Sequence, residues 1–419
     1  MRKIQEHWQI LIAILFACLV GLLLDQNSKF YDITYVSVFA FFGTLFLNAL
    51  KMIVIPLVVS SIIVGVHRIS EDKSFGRLGI KTLSYYLSTT TIAILIGIFL
   101  ANIIEPGVTN NVSTGSSLSL GDNANFSKEE FLNKSNADIA SVFLRMIPEN
   151  IFKAAADGQL LGLIFFCFIF GFFSGRIHGQ LKETFFNFWQ GVFDIMISMT
   201  NLIMKVAPIG VFALVAKVIM ISGAESLMPL LFFFITVLSA LLIHMFVVMP
   251  CILKAVKANP ISHFRAMFRA LLTAFSTSSS SATLPITIRD VKEKSGVSNR
   301  ISSFVLPLGA TVNMDGTALY ECIAVLFIAQ VYGIEITVLQ QIIILLIALT
   351  TSIGVAGIPA ASLVAITIIL TAVGLPVESI GLILAVDRIL DMFRTSVNVF
   401  SDSVGAVVIA KTEGEKTLL

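Results

Sequence analysis

Hydrophobic and polar positions along this chain sort into long apolar runs separated by short polar stretches. The runs over 8–24, 34–66, 79–104, 147–175, 185–219 and 228–253 each suit a membrane-spanning helix, and those beyond ~25 residues must tilt or kink. After residue 253 the pattern changes. Residues 262–292 have basic flanks and a Ser-rich centre and are too short for two spans, which predicts a hairpin that enters and leaves on one side. Residues 300–331 then cross, broken around Pro307, Gly309 and Gly316. Residues 337–375, interrupted at Gly354, Gly357 and Pro359, fit a second hairpin from the other side, although two full spans satisfy the same flanks. A polar helix over 376–411 closes the pattern.

Composition fixes the class. The chain is 56% hydrophobic and 13% charged, with a mean hydropathy of +0.93, against about 25% charged residues in soluble proteins. Continuous rather than alternating apolar runs predict an all-α polytopic membrane protein, not a β-barrel. Basic clusters at Arg2–Lys3, Arg68–Lys81, Arg176–Lys182 and Lys254–Arg269 place both termini in the cytoplasm and the Asn/Ser-rich loop 105–138 outside. The first run lacks a small-residue cleavage site and reads as an uncleaved span. A net charge of +2 gives no reason to expect nucleic acid, and Cys18, Cys167, Cys251 and Cys322 have no metal or disulfide spacing. Hairpin followed by polar span occurs twice with opposite entry, the inverted-repeat organisation of secondary transporters.

Candidate chemistry sits in the breaks. Asp387, Asp391, Arg394, Asn398 and Asp402 recur every three or four residues and share one helical face. In lipid each charge costs ~2.5–3.5 kcal/mol or more, so the stripe must face a polar interior. In Thr277–Pro285, hydroxyls and the free N–H groups of a return helix opening near Pro285 make an anion cradle. In Leu306–Thr317, freed carbonyls together with Asn313, Asp315 and Thr317 offer oxygen ligands suited to a hard cation such as Na⁺. Ser352–Ser362 is small and almost uncharged, able to approach a ligand through its backbone and to move as a lid. The Tyr85–Thr91 run reads, unaided, as ordinary hydroxyl packing between helices.

Taken in order, these motifs resemble the dicarboxylate/amino acid:cation symporter family over essentially the full chain. The resemblance implies that 1–253 is mostly a scaffold and trimerisation region, with 79–104 belonging to a transport core formed by 254–419. It implies a substrate site of Ser278, Ser280, Thr317, Ile358, Ser362, Asp391, Arg394 and Asn398. Arg394 would hold the side-chain carboxylate, Asp391 the ammonium and Asn398 the α-carboxylate. One Na⁺ would use Gly309, Asn313, Asn398 and Asp402. A second would use Thr311, Ser352, Ile353 and Val355, and a third Tyr86, Thr89, Thr90, Asn313 and Asp315. Some members carry Arg where Ser278 stands and Gly at positions 360 and 362. A homotrimer in the cell membrane, without a cofactor beyond Na⁺ as coupling ion, completes the expectation.

The charge pattern favours acidic amino acids. A guanidinium holds a carboxylate bidentately and Asp391 answers an ammonium. A C4-dicarboxylate would leave Asp391 facing an anion, and cystine is the nearest rival substrate. Proton coupling through Asp315 or Asp402 is the alternative to Na⁺. An intramembrane aspartyl protease would leave the three polar breaks unexplained, and no Gly-Lys-Ser/Thr phosphate loop supports an ATP-driven pump.

Overall fold

The computed structural model describes residues 6–24, 26–31, 33–71, 77–109, 112–113, 147–156, 160–222, 227–354 and 361–419. Fifteen α-helices occur among the described residues, with two antiparallel pairs of two-residue strands, Lys29–Phe30 with Ile33–Thr34 and Val108–Thr109 with Val112–Ser113. The first half comprises α1 (Glu6–Leu23), α2 (Tyr35–Glu71), α3 (Arg77–Ile104), α4 (Ile151–Ala156), α5 (Leu160–Ser174), α6 (Gln180–Ser222) and α7 (Leu227–Ile243). Within the expected span over 147–175 the described residues form α4 and α5. The expected kink lies in α6, which bends by 52° between Gln180–Ile203 and Lys205–Ile221. Pro208 explains the position, since its ring clashes with the carbonyl four residues earlier.

A single π-turn, His244–Val248, joins α7 to α8 (Met249–Ala255). Pro250 follows directly and cannot donate a helical N–H. The turn re-aims His244 towards the interior.

The remaining elements are α9 (Pro260–Thr277), α10 (Ser280–Glu293), α11 (Asn299–Val312), α12 (Asp315–Val331), α13 (Val338–Gly354), α14 (Ala361–Val373) and α15 (Ile380–Thr412). Asn259 caps α9 by accepting the Ile261 and Ser262 N–H groups at 3.0 and 3.2 Å, with Pro260 at the first helical position. The chain reverses at Ser278, which is left-handed (φ 49°), and Ser279 caps α10 by accepting the Ala282 N–H at 3.2 Å. The return helix thus opens at Ser280, and Pro285 lies inside it. A serine cap outweighs the proline as a start signal here. The break between α11 and α12 falls at Asn313 and Met314, whose non-helical backbone interrupts the helix.

Packing separates inner from outer helices. α2 lies along α6, with α1 against α6 and α5 against α2, whereas α3, α14 and α15 surround α12. Among helices long and apolar enough to cross a membrane, Arg77–Ile104 has 39% of its apolar window buried and Asn299–Val331 has 100%. Large apolar side chains such as Phe41, Phe99 and Phe188 point outward. This is the arrangement of a polytopic membrane protein whose polar helices are shielded from lipid by other helices.

Candidate functional site

The α15 stripe faces inward along its whole length: Asp387, Arg394, Asn398 and Asp402 are buried and Asp391 is half-buried. Two glycines permit the close approach that seals it. A Cβ on Gly316 would lie 2.8 Å from the Arg394 carbonyl oxygen, and one on Gly405 would lie 2.7 Å from the Tyr85 ring. α12 and α3 can therefore touch α15 backbone to backbone or ring to backbone.

At the first end of the stripe stands Arg394, 0% exposed. Its Nη2 lies 2.9 Å from Asp391 Oδ1 and 3.1 Å from Asp387 Oδ1, and its guanidinium carbon sits 3.9 Å from the Tyr320 ring centroid. Such a desolvated cation–π contact contributes about 2 kcal/mol. Nε and Nη1 are buried with no acceptor among the described residues. Leaving a buried donor unmet costs about 1–3 kcal/mol, more for a charged group. Asp391 also receives Arg388 Nη1 at 3.3 Å. The hairpin formed by α9 and α10 reaches this end: the Phe275 and Phe393 rings are 5.0 Å apart, and the Ser396 hydroxyl meets the Leu271 carbonyl at 3.4 Å.

The second end is acidic and internally bonded. Asn313 Nδ2 donates to Asp402 Oδ1 at 2.9 Å and to Ser401 Oγ at 3.0 Å. Asn398 accepts the Gly316 N–H at 2.8 Å and donates to Thr317 Oγ1 at 3.1 Å. A Cβ on Gly309 would meet Asp402 Oδ1 at 2.4 Å and the Tyr86 hydroxyl at 2.7 Å, so glycine lets α11 pass over both. Asp315 receives Thr90 Oγ1 and Ser401 Oγ at 2.6 Å each, with Thr89 Oγ1 at 3.4 Å and His244 Nε2 at 3.0 Å. The Tyr-Thr run is therefore part of this cluster and not mere packing.

Of the residues expected at the substrate site, the structure brings Thr317, Asp391, Arg394 and Asn398 together along α12 and α15. Ser278 and Ser280 lie at the hairpin turn, and Ser362 is buried with no partner for its hydroxyl among the described residues. Gly309 and Asn313 meet at Asp402, with Tyr86 beside Gly309 and its hydroxyl donating to the Val305 carbonyl at 2.7 Å; Thr89 and Thr90 meet at Asp315, while Asn398 bonds Gly316 and Thr317. Thr311 spends its hydroxyl on the Leu308 and Pro307 carbonyls of its own helix. Ser352 and Ile353 end α13 with undescribed side chains, and Val355 and Ile358 lie outside the described residues.

Beside the residues of this site, sequence reasoning missed His244 and Glu321, both buried and titratable. His244 meets Asp315, and Glu321, on α12, receives the Thr351 hydroxyl at 3.4 Å. Each is an ionisable residue inside an apolar run, which is itself a signal of function.

The geometry provides a guanidinium with donors unclaimed among the described residues, on the same helix as an oxygen-rich acidic cluster. Comparison with known proteins identifies the family. The sequence pattern of the sodium:dicarboxylate symporter family matches residues 7–412. The chain is 38% identical over 415 residues to the proton/sodium-glutamate symport protein of Bacillus caldotenax, covering 99% of this chain and 96% of that one. It is 36% identical over 411 residues to the proton/glutamate-aspartate symporter of Escherichia coli K12, covering 98% and 93%. With human excitatory amino acid transporter 3 it shares 37% over 461 aligned positions, covering 98% and 86%. The chain belongs to the sodium:dicarboxylate symporter family and is a transporter rather than an enzyme.

Proposed function

We propose that the chain carries glutamate or aspartate into the cell together with Na⁺ by alternating access. The observation that carries this reading is Arg394: fully buried, tethered through one nitrogen and holding donors on the other two that no described residue meets. An incoming carboxylate satisfies those donors, and no aliphatic substrate does. In the substrate-bound state Asp391 exchanges its arginine partners for the ammonium. Asn398 turns from Gly316 and Thr317 towards the α-carboxylate, and the Ser278–Ser280 turn and Ser362 line the remaining sides. The names of the relatives, which specify glutamate or aspartate, support the same substrate class.

Na⁺ is cargo here, held by oxygen donors. Asp402, Asn313, Asn398 and the α11 backbone near Gly309 form one cage; Asp315, Thr89, Thr90, Tyr86 and Asn313 form another; the end of α13 with Thr311 forms a third. Carboxylates ringed by neutral oxygens suit a dehydrated cation better than a proton, which needs no cage. Proton coupling is the second reading, favoured by the buried Glu321 and His244 and by the word proton in two relatives' names. Helices α1, α2, α5 and α6 serve as the scaffold of a homotrimer, and 254–419 with α3 moves as the core. Both termini are cytoplasmic. Uptake into vesicles with aspartate, glutamate, cystine and succinate as competitors tests the substrate. Aspartate and glutamate should compete strongly, and dominance of succinate or cystine would reassign the site.

A further inference from the structure

Outside the site described above, one buried histidine joins three elements through a directional chain of hydrogen bonds. His263, on the first turn of α9, is 0% exposed. Its Nδ1 lies 3.1 Å from Ser295 Oγ, in the turn after α10, and its Nε2 lies 3.0 Å from Ser403 Oγ on α15. Ser403 donates its own proton to the Phe400 carbonyl at 2.7 Å. That leaves its oxygen only as acceptor, so Nε2 carries the imidazole proton and Nδ1 accepts from Ser295. The order Ser295 O–H, imidazole, Ser403 O–H, Phe400 C=O is thereby fixed. The Ser295 turn is itself anchored: the Leu418 N–H bonds the Ser295 carbonyl at 3.0 Å, and Glu415 accepts the Ser298 N–H at 3.1 Å. Gly296, at φ +74°, admits Leu418, which would lie 2.7 Å from a Cβ there.

We propose that His263 is a positioning residue for transport: it pins the base of the first hairpin to α15 one residue beyond Asp402 and so sets the ion-holding geometry. The proposal rests on the symporter reading. Near its tip this hairpin touches α15 through the Phe275–Phe393 pair and one 3.4 Å hydrogen bond from Ser396, so the base supplies the stronger polar link. A shift of α9 along α15 carries Ser403 with it, and the adjacent carboxylate moves on the same backbone.

The chain of bonds makes an unusual ranking of variants. Ser403→Ala leaves the buried Nε2 of His263 without a partner in either tautomer, because Ser295 can answer only Nδ1. His263→Phe keeps ring volume against Phe400, leaves Ser403 bonded to the Phe400 carbonyl, and frees only the rotatable Ser295 hydroxyl. Deleting one partner costs more than replacing the polar centre. Full-length variants are reconstituted, and uptake per inserted protein is measured against Na⁺ concentration. Ser403→Ala should raise the half-saturating Na⁺ concentration about tenfold, and His263→Phe about threefold. The double variant should match His263→Phe, with Vmax near wild type throughout. A Ser403→Ala response within twofold of wild type, or a double variant no better than Ser403→Ala, overturns the proposal. If Ser403→Ala fails to insert, His263→Phe and the double variant decide it: wild-type Na⁺ response in both overturns it. Wild-type uptake indifferent to Na⁺ sinks the coupling reading alone, because the same ranking in KM for aspartate still decides the role of His263.

Discussion

The two ends of α15 carry similar residues in opposite states. Around Asn398, Ser401 and Asp402 the amides and hydroxyls are spent on one another, and Asn313, Thr89 and Thr90 complete the set. Around Arg394 a buried cation keeps two nitrogens unmet among the described residues, although two carboxylates stand beside it. On the proposed reading, the saturated polar cluster holds its shape for a small ion and the unsaturated one for an acidic ligand. One helix would then select two unlike cargoes, because burial makes each unmet group costly.

The largest expected effect breaks the unsaturated end. Arg394→Ala removes the partner of a desolvated carboxylate, a loss of ~2–5 kcal/mol, and should abolish uptake of acidic amino acids while the protein still inserts. Aspartate binding within a few-fold of wild type would contradict the assignment. Next, Asp402→Asn keeps shape at the saturated end and removes charge. It should weaken Na⁺ dependence and, through linkage of about 1–3 kcal/mol, lower apparent aspartate affinity; titrating each ligand at fixed concentrations of the other reads both.

Glu321→Gln sharpens the comparison by asking whether a third buried acid takes part. With Na⁺ as the coupling ion it should leave Na⁺-driven uptake near wild type; loss of pH-driven uptake in this variant alone would favour the proton reading. The smallest effect lies outside both ends. Lys81 donates to Glu413 at 2.5 Å and to the Thr412 carbonyl at 3.0 Å. That hydrogen bond holds the Glu413 carboxyl below its usual range. A depressed carboxylate stabilises the fold above its unfolded pKa of about 4.3, and the contribution is lost as pH falls through the lower folded value. Lys81→Ala should therefore cost slight thermal stability at neutral pH and less below that window, where only the bond to the Thr412 carbonyl remains to be lost, as melting curves across pH would record.

The all-α membrane class, the helix pattern and the α15 stripe were legible because the cost of charge in lipid writes itself into spacing. Asp387 through Asp402 had one place to face. Contacts set by backbone irregularity were not legible. The π-turn that turns His244 to Asp315 has no composition signature beyond Pro250, and the Ser279 cap was hidden by the stronger cue of Pro285. The Tyr85–Thr91 hydroxyls resembled ordinary packing because their partner, Asp315, lies more than two hundred residues away. The His263 relay likewise joins residues whose separation in sequence gives no hint of contact.

On the proposed mechanism a carboxylate at Arg394 and a cation at Asp402 bind as linked partners. Aspartate binding to the purified protein, with Na⁺ replaced by choline at fixed pH, tests it most directly. Removing Na⁺ should weaken aspartate binding by at least about tenfold, equivalent to ~1.4 kcal/mol of coupling. Unchanged affinity without Na⁺, together with a steep dependence on pH, would contradict it.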